Sequence, residues 1–386
     1  MKQGWEIKKL GEVCAKLTDG SHNPPKGVIH SNFIMLSSQN VFNDCLLYDD
    51  VRFLQEEDFI REDKRTYVRE GDVLLTIVGT IGRCAVFTGN KRVALQRSVA
   101  VLHPHINILP RFLMYCLIGR NTSLNEQAHG IAQKGIYLKQ LSQINIPVPP
   151  LPEQEKIVSE LDCLSGIIEK KRQQLKELDA LAQSIFYEMF GDPVTNEKGW
   201  EVKRLGEVAT SDLGKMLDSS KNQGDFYPYL CSINVQWNNV DCSQIKKMRI
   251  EQDELGRYRL QKGDLLICEG GDTGRCAIWN SETEMYYQNA LHRVRFNENL
   301  ILPIYCLFVM KLYKENGEID KYSTGQTIKH LVKKVLLTIP FPLPPLSLQQ
   351  TFASKIEAIE KQKALIKQSL GEVETLFNAR MQEYFG

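Results

Sequence analysis

Two stretches with a heptad pattern of apolar residues limit the possible folds of this chain more than any other feature. In residues 153–190 apolar side chains recur at alternating steps of four and three, with Lys171 as the one polar break, and in residues 352–384 Lys363 and Arg380 interrupt the same pattern. Neither stretch contains a proline. About 36 residues of helix span about 54 Å, which exceeds the usual length of a globular helix.

Such a pattern predicts two long helices in which each covers the apolar seam of the other, because a heptad seam needs a partner. Helix core within an ordinary domain is the alternative. The side chains expected in the pairing are Ile157, Leu161, Leu164, Ile168, Leu175, Leu178, Ile185, Phe352, Ile356, Ile359, Ile366, Leu370, Val373 and Phe377.

The rest of the chain is also written twice, with a spacing of about 195 positions. Residues 4–13 (GWEIKKLGEV) recur as 199–208 (GWEVKRLGEV), residues 71–75 (GDVLL) as 263–267 (GDLLI), and residues 82–87 (GRCAVF) as 274–279 (GRCAIW). This period is far too long for a solenoid and predicts a duplicated unit of one globular domain and one helix. The expected boundaries are 1–150, 151–192, 193–344 and 345–386.

Each globular part is expected to be rich in short strands, which makes the fold class α+β. Residues 73–78, 84–87 and 92–102 have the β-branched and apolar composition of strands, whereas residues 110–118 and 302–312 read as short helices. The inserts at 14–65 and 209–255 share little sequence. Matching frames with different inserts indicate two related modules that do the same task on different targets.

Composition excludes several classes of protein. The net charge is +1, which is weak evidence against nucleic-acid binding because local patches can suffice. The ten cysteines form no C-x-x-C pair or zinc-spaced cluster, so reduced thiols and no metal site are expected. No stretch of about 18 apolar residues and no signal-like N-terminus is present. A cytoplasmic protein without a membrane segment is therefore expected.

No group of residues demands catalysis. Residues 23–26 (NPPK) resemble the N/D-P-P-aromatic site of amino-methyltransferases, but Lys26 stands where a ring must stack on the flipped base. The glycine-rich residues 79–82 and 270–274 lack the Gly-Lys-Ser/Thr ending of a phosphate-binding loop and favour hairpin turns. The acidic residues 56–58 read as a solvated stretch. No catalytic residue is assigned.

Polar loops within the repeated frame are better candidates for binding. They include residues 18–23, the matched pair 96–98 and 288–290, and the matched pair 133–139 and 326–330. Their side chains are of the types that contact phosphates or base edges, although ordinary solvated loops are the alternative. The candidate DNA-binding residues are Ser21, His22, Asn23, Lys26, Arg83, Gln96, Arg97, Lys134, Tyr137, Lys139, Lys215, Asn222, Arg275, Gln288, Asn289, His292, Gln326 and Lys329.

The repeated motifs and helices together resemble the specificity (S) subunit of type I restriction–modification systems. The resemblance covers the whole chain and rests on the GW-x4-LGEV opening, the G-D-x-L strand, the GRCA block, and the proline-rich passage into residues 151–154 (LPEQ). Two departures are visible in the second half: Leu348 and Gln349 replace Glu153 and Gln154, and the Thr-Asp-Gly-x-His loop is missing.

The resemblance implies two target-recognition domains alternating with two helices that pair as an antiparallel coiled coil. Each domain would enter the major groove of one half of a bipartite, asymmetric double-stranded DNA target, with the helices setting a spacer of about 34–36 Å. Catalysis would lie in two methyltransferase subunits docked on the helices and in restriction/translocase subunits. Those partners would then bind S-adenosylmethionine, ATP and Mg, and this chain would bind no cofactor.

Two other functions remain open from the residues alone. A stand-alone DNA modification enzyme would transfer methyl groups without a partner subunit. A coiled-coil scaffold without DNA recognition would show no sequence-dependent binding even with partners present.

Overall fold

The computed structural model describes residues 4–126, 135–218, 220–325 and 329–386. Two compact units make up the chain. Unit 1 comprises Met1–Arg172 and Gln368–Gly386, and unit 2 comprises Gln173–Lys367. Each unit therefore contains a globular part together with portions of both long helices.

The globular part of unit 1 has eleven strands and five short helices among its described residues. The strands are β1 (Glu6–Lys9), β2 (Cys14–Asp19), β3 (Phe33–Leu36), β4 (Val41–Phe42), β5 (Cys45–Leu46), β6 (Arg52–Leu54), β7 (Val73–Thr76), β8 (Cys84–Val86), β9 (Val93–Leu95), β10 (Val99–Pro104) and β11 (Asn145–Val148). The helices are α1 (Leu10–Val13), α2 (Glu56–Thr66), α3 (Pro110–Gly119), α4 (Asn121–Glu126) and α5 (Leu138–Leu141). The long helix α6 (Leu151–Phe190) follows β11 and continues into unit 2.

The globular part of unit 2 repeats this order. Its strands are β12 (Glu201–Arg204), β13 (Ala209–Leu213), β14 (Asp225–Leu230), β15 (Val235–Gln236), β16 (Asn239–Val240), β17 (Lys246–Ile250), β18 (Leu265–Cys268), β19 (Cys276–Ile278), β20 (Tyr286–Tyr287), β21 (Leu291–Phe296) and β22 (Pro340–Leu343). Its helices are α7 (Leu205–Val208), α8 (Leu255–Tyr258), α9 (Pro303–Glu315), α10 (Glu318–Lys321), α11 (Lys333–Leu336) and the long α12 (Leu346–Phe385), with 3-10 turns at Ser232–Asn234 and Gln252–Glu254.

Both globular parts have the same sheet topology. A four-stranded antiparallel sheet has the order β2-β10-β7-β8 in unit 1 and β13-β21-β18-β19 in unit 2. A three-stranded sheet has the order β6-β3-β9 and β17-β14-β20, a hairpin joins β4 to β5 and β15 to β16, and a closing pair joins β1 to β11 and β12 to β22. The expected α+β duplication is confirmed, and it includes the inserts whose sequences share little.

One local prediction is wrong. The single strand expected at residues 92–102 is two strands, β9 and β10, which belong to different sheets and are separated by a turn in which the Val99 amide bonds to the Gln96 carbonyl. The acidic residues 56–58 are exposed or half-buried, as expected of a solvated stretch, and they form the first turn of helix α2, in which Phe59 is buried. One aromatic residue in a charged run carried too little periodicity to predict this helix.

The long helices run antiparallel within each unit, as expected. In unit 1, Ile157 and Leu161 of α6 belong to the same buried cluster as Met381 and Phe385 of α12. In unit 2, Leu178 of α6 belongs to a cluster with Ile356 of α12. Two of the polar breaks in the heptad pattern form ion pairs between the helices: Lys363 lies 2.7 Å from Asp179, and Arg380 lies 2.8 Å from Glu160.

The predicted pairing residues fall into two groups by exposure. Buried ones are Ile157, Leu161, Ile168, Leu178, Phe352, Ile356 and Ile359, and half-buried ones are Leu164, Leu175, Ile185, Ile366, Leu370, Val373 and Phe377. Phe186, Phe190, Met381 and Phe385 are buried too but are outside the predicted set. The helix ends bury a wider stripe than a two-helix seam because the globular parts also pack against them.

A buried glutamine fixes the first turn of each long helix to its own globular part. The Gln154 side chain accepts a hydrogen bond from the Leu109 amide (2.9 Å) and donates to the carbonyls of Asn107 (3.0 Å) and Pro149 (2.9 Å). The Gln349 side chain accepts from the Leu302 amide and donates to the carbonyls of Leu300 and Pro344, at 2.8, 3.1 and 2.9 Å. We call these two arrangements the glutamine clamps. Every clamp partner is a backbone atom, and both side chains are fully buried.

The repeated Gly-Asp motif has a structural role. Asp72 and Asp264 each accept a hydrogen bond at 2.7 Å from the amide three residues earlier, which closes the turn before β7 and β18. Asp72 also lies 2.5 Å from His103, and Asp264 accepts two hydrogen bonds from Arg295, at 2.7 and 2.8 Å. The carboxylates therefore hold each turn to an inner strand of the four-stranded sheet, β10 in unit 1 and β21 in unit 2.

Candidate nucleic-acid interface

Three loops of unit 1 come together beside the four-stranded sheet. The Ser21 amide donates to the Leu95 carbonyl (2.8 Å) and the Arg97 amide to the Ser21 carbonyl (2.9 Å). The Ile136 amide donates to the Ile77 carbonyl (2.9 Å). These bonds bring His22, Arg97 and Tyr137 to one cleft of about 560 Å³.

A second cleft of about 640 Å³ adjoins the first, because Val78 and Arg97 line both. Ser37, Gln39 and Gln96 contribute to its polar lining. We call the two clefts together the polar groove. Arg97 is exposed where the clefts meet, and Tyr137 retains 72% exposure at the edge.

Charged groups of the polar groove are held by defined contacts. Asp19 is buried, lies 2.8 Å from Nε2 of His22, and pairs with the Arg65 guanidinium. Arg52 donates to the Pro25 carbonyl at 3.0 Å. The groove thus combines guanidinium, amide and hydroxyl groups, which are the groups that contact phosphates and base edges.

A glycine permits the close approach on which this geometry depends. A Cβ atom on Gly20 would lie 2.0 Å from the Leu95 carbonyl oxygen, and one on Gly214 would lie 2.3 Å from the Gln288 carbonyl oxygen. Neither backbone oxygen can move without breaking the adjoining strand. The glycine of the Asp-Gly pair in unit 1 therefore has a counterpart in unit 2, whereas the aspartate does not.

The other predicted residues of unit 1 are placed less centrally. Ser21 is buried in the bridge to Gln96, while Asn23, Lys26 and Lys139 are exposed. The Arg83 guanidinium stacks over the Phe42 ring at 4.5 Å. Lys134 lies outside the described residues. Arg52 and Arg65 line the groove but were not predicted, because they lie in or at the end of an insert whose sequence has little match in the other half of the chain.

Unit 2 has the same backbone frame. The Lys215 amide donates to the Tyr287 carbonyl (3.1 Å), the Asn289 amide to the Lys215 carbonyl (3.0 Å), and the Leu331 amide to the Glu269 carbonyl (2.8 Å). Gln288 and Asn289 are half-buried beside this frame, and the Asn222 side chain donates to the Met216 carbonyl at 3.0 Å.

Two predicted DNA-binding residues of unit 2 do not lie at the surface. Lys215 is buried, 2.5 Å from Glu251, and also pairs with Glu254. The hydrogen bond from Lys215 lowers the pKa of the Glu251 carboxyl to about 2. His292 is fully buried and its Nε2 lies 2.6 Å from the Leu331 carbonyl oxygen. Their polarity predicted binding, whereas both serve internal contacts.

The remaining predicted residues of unit 2 also have partners within the chain. Arg275 donates to the Ser232 carbonyl at 2.9 Å and lies 3.5 Å from Asp272. Lys329 is exposed and pairs with Asp320 at 2.8 Å. Gln326 lies outside the described residues.

Burial of His292 predicts a pH-dependent stability. Burial lowers the pKa of His292 below its usual value. Below about pH 6.5 the imidazole of His292 is protonated in the unfolded chain but stays neutral in the folded protein. The free energy of unfolding therefore falls as the pH falls. The effect is at most about 1.4 kcal/mol per pH unit. His292→Gln should remove this part of the pH dependence, measured by urea unfolding of both proteins at pH 7.5 and 5.5. Equal pH dependence in the two proteins would contradict the prediction.

The described residues offer little basis for other chemistry. Within residues 4–126, 135–218, 220–325 and 329–386, no three histidine, cysteine, aspartate or glutamate side chains are grouped so that they could hold a metal ion. Across the same residues, no helix has the length and apolar character needed to cross a membrane. Cysteines are free thiols, and burial raises the pKa of Cys14 and Cys116 to about 12.

Comparison with known families decides the assignment. A family model described as the type I restriction modification DNA specificity domain matches residues 2–179 and again residues 197–375. The chain belongs to this DNA specificity family. Specificity subunits of type I systems recognise DNA targets and are not the catalytic subunits. The resemblance found in the sequence is therefore confirmed, and the chain is a DNA-recognition component rather than an enzyme.

Individual relatives of this specificity subunit agree with the family match. The putative type I restriction enzyme MjaX specificity subunit of Methanocaldococcus jannaschii is 23% identical over 394 residues, which cover 93% of this chain and 87% of the relative. The crystal structure of a type I system S subunit from M. genitalium has a TM-score of 0.60 at 14% identity and covers 100% of this chain and 98% of its own. A structure on complex assembly and conformational transition of the type I R-M system has a TM-score of 0.56 at 18% identity, with coverage of 100% and 98%. These structures support the fold.

Proposed function

We propose that each globular part reads one half of a bipartite, asymmetric double-stranded DNA target. In unit 1 the reading surface is the polar groove, and in unit 2 it is the surface formed by the equivalent loops. The domains proposed for this function are residues 1–150 and 193–344, and the connecting helices are residues 151–192 and 345–386.

One observation carries this proposal: the two units share a backbone frame, but most of the side chains on it differ. The bridge between Ser21 and Gln96 corresponds to the bridge between Lys215 and Gln288. Arg97 of the first unit then corresponds to Asn289 of the second, since each amide bonds to the bridged residue. Equivalent loops with different side chains are what two different half-sites require.

We further propose that the long helices set the spacing and carry the partner subunits. Both α6 and α12 are continuous over 40 residues, or about 60 Å. Half-sites separated by one turn of DNA are about 34–36 Å apart, which such a helix can span. Two methyltransferase subunits and restriction/translocase subunits are the proposed partners. Those subunits would bind S-adenosylmethionine, ATP and Mg.

The function is tested by producing the full chain with its methyltransferase subunit in a host that lacks adenine methylation, and mapping methylated bases across the genome. Methylation at a gapped, asymmetric two-part sequence is expected. Methylation produced by this chain alone would overturn the proposal in favour of an enzyme. A complex that forms but methylates without sequence preference would favour a scaffold.

A groove variant assigns one half of the target to unit 1. Arg97→Ala removes an exposed guanidinium shared by both clefts. One bidentate arginine–base contact contributes about 1–3 kcal/mol, so the preference at one half of the target should fall about tenfold or more, with the other half unchanged. The same methylation mapping measures this. Lys8→Ala removes one positive charge from β1, outside the residues lining either cleft, and is the matched control. Equal losses in both variants would contradict the assignment.

A further inference from the structure

The unit 2 loops carry exposed apolar side chains at positions where unit 1 carries polar ones. Met216 and Leu217 follow the bridged Lys215 as His22 and Asn23 follow the bridged Ser21. Met216 retains 65% and Leu217 46% of its surface. In unit 1, His22 lines the polar groove.

A buried asparagine establishes a third matched position. The Asn40 side chain accepts from the Ser37 amide and donates to the carbonyls of Leu47 and Asp50. The Asn234 side chain accepts from the Cys231 amide and donates to the carbonyls of Asp241 and Gln244. The residue before each asparagine is therefore equivalent. It is Gln39, a lining residue of the polar groove, in unit 1, and Ile233, which is 55% exposed, in unit 2.

The loop before the last short helix supplies a fourth. Tyr137 follows the residue whose amide bonds to Ile77, and Val332 follows the residue whose amide bonds to Glu269. Val332 is 36% exposed. Isolated exposed apolar residues are common on protein surfaces. Here, however, four exposed apolar residues all lie at positions equivalent to residues of the groove or of its loops, which indicates a shared role.

Three cations near these loops pair with carboxylates. Lys215 pairs with Glu251 and Glu254, and Asp212 pairs with both Arg293 and Lys333, at 2.8 and 3.1 Å. Where unit 1 presents the guanidinium of Arg97, unit 2 has the amide of Asn289, and the equivalent loops carry the four exposed apolar residues. The apolar group presented by base edges in the major groove is the C5 methyl of thymine.

We propose that Met216, Leu217, Ile233 and Val332 read thymine methyl groups in the half-site bound by unit 2. The inference rests on the proposed function, since it requires unit 2 to bind DNA through these loops. Amide contacts from Gln288 and Asn289 would complement the methyl contacts.

Deoxyuridine tests this directly, because it differs from thymidine only in lacking the C5 methyl. Binding of the full chain with its methyltransferase subunit is measured on duplexes whose thymines are replaced in one half-site at a time, with Arg97→Ala identifying the half-site of unit 1. Replacement in the unit 2 half-site should weaken binding about fourfold for each methyl contacted, and replacement in the other half-site should change it less than twofold.

Variants connect the effect to the residues. Met216→Ala combined with Ile233→Ala should reduce the difference in binding between thymidine and deoxyuridine duplexes, whereas His22→Ala combined with Gln39→Ala should keep the full difference. Equal binding of wild-type protein to both duplexes would overturn the inference and leave the proposed function intact. Failure of the wild-type complex to prefer any two-part target would overturn both. Loss of the methyltransferase subunit from the Met216 and Ile233 variant would show that the apolar residues form a protein interface, and would also overturn the inference.

Discussion

Replacing Phe186 with alanine is expected to lower the free energy of unfolding by about 3–5 kcal/mol. Phe186 is fully buried in α6, and its ring centroid lies 5.7 Å from that of Tyr305 in α9 and 5.6 Å from that of Phe352 in α12. Truncation therefore opens a cavity at the point where both long helices and a helix of the globular part meet. Because three helices line this cavity, the surrounding side chains can relax into it only in part, and the loss of stability should be near the upper end of the range.

Urea unfolding followed by circular dichroism measures this effect. Leu181→Ala is the matched control, since Leu181 lies on the same helix but is 47% exposed. Its cost should stay within about 0.5 kcal/mol. Comparable losses in the two variants would mean that the aromatic contacts of Phe186 contribute no more to stability than an exposed position of the same helix.

Replacing Asp264 with alanine is expected to destabilise unit 2 by about 2–4 kcal/mol. The carboxylate is 1% exposed, receives two hydrogen bonds from Arg295, and accepts the Gln261 amide. Its removal leaves a guanidinium and an amide without their partner. The range lies below that for a wholly buried ion pair because the Arg295 side chain is 35% exposed.

Thermal and urea unfolding of the full chain would register this loss as an earlier transition. Glu282→Ala removes an exposed acid from the same unit and should leave the transition in place. An Asp264→Ala protein that unfolds with the wild type would show that the repeated Gly-Asp motif serves something other than the turn and its arginine.

The long helices and the duplication could be predicted because both depend on patterns that a single sequence displays. The seam from Ile157 to Leu178 repeats apolar residues every three or four positions with Lys171 as the one break, and the repeated Gly-Asp and Gly-Arg-Cys-Ala blocks mark turns that both halves share. The matching fold of the inserts left no such record. Their strands are only two to six residues long, and each is specified by the strand beside it rather than by its own sequence.

The sequence predicted the loops of the candidate site but not which of their polar side chains reach the surface. The three loops of unit 1 were found because their polar residues flank repeated motifs, but polarity does not distinguish a surface lysine from one that is paired inside. Lys215 and His292 could be placed only once Glu251, Glu254 and Leu331, all distant in sequence, were located. The apolar residues of unit 2 gave no polar signal at all.

The glutamine clamps have a consequence for how such a protein can change. Gln154 and Gln349 hold their globular parts through two carbonyls and one amide each, and none of these partners lies in the divergent inserts. The contacts that join each globular part to its long helix therefore do not depend on the sequence of the insert. Under the proposed function, an insert could be exchanged for another of the same topology without changes to the helix that follows it, and the chain would then recognise a new target.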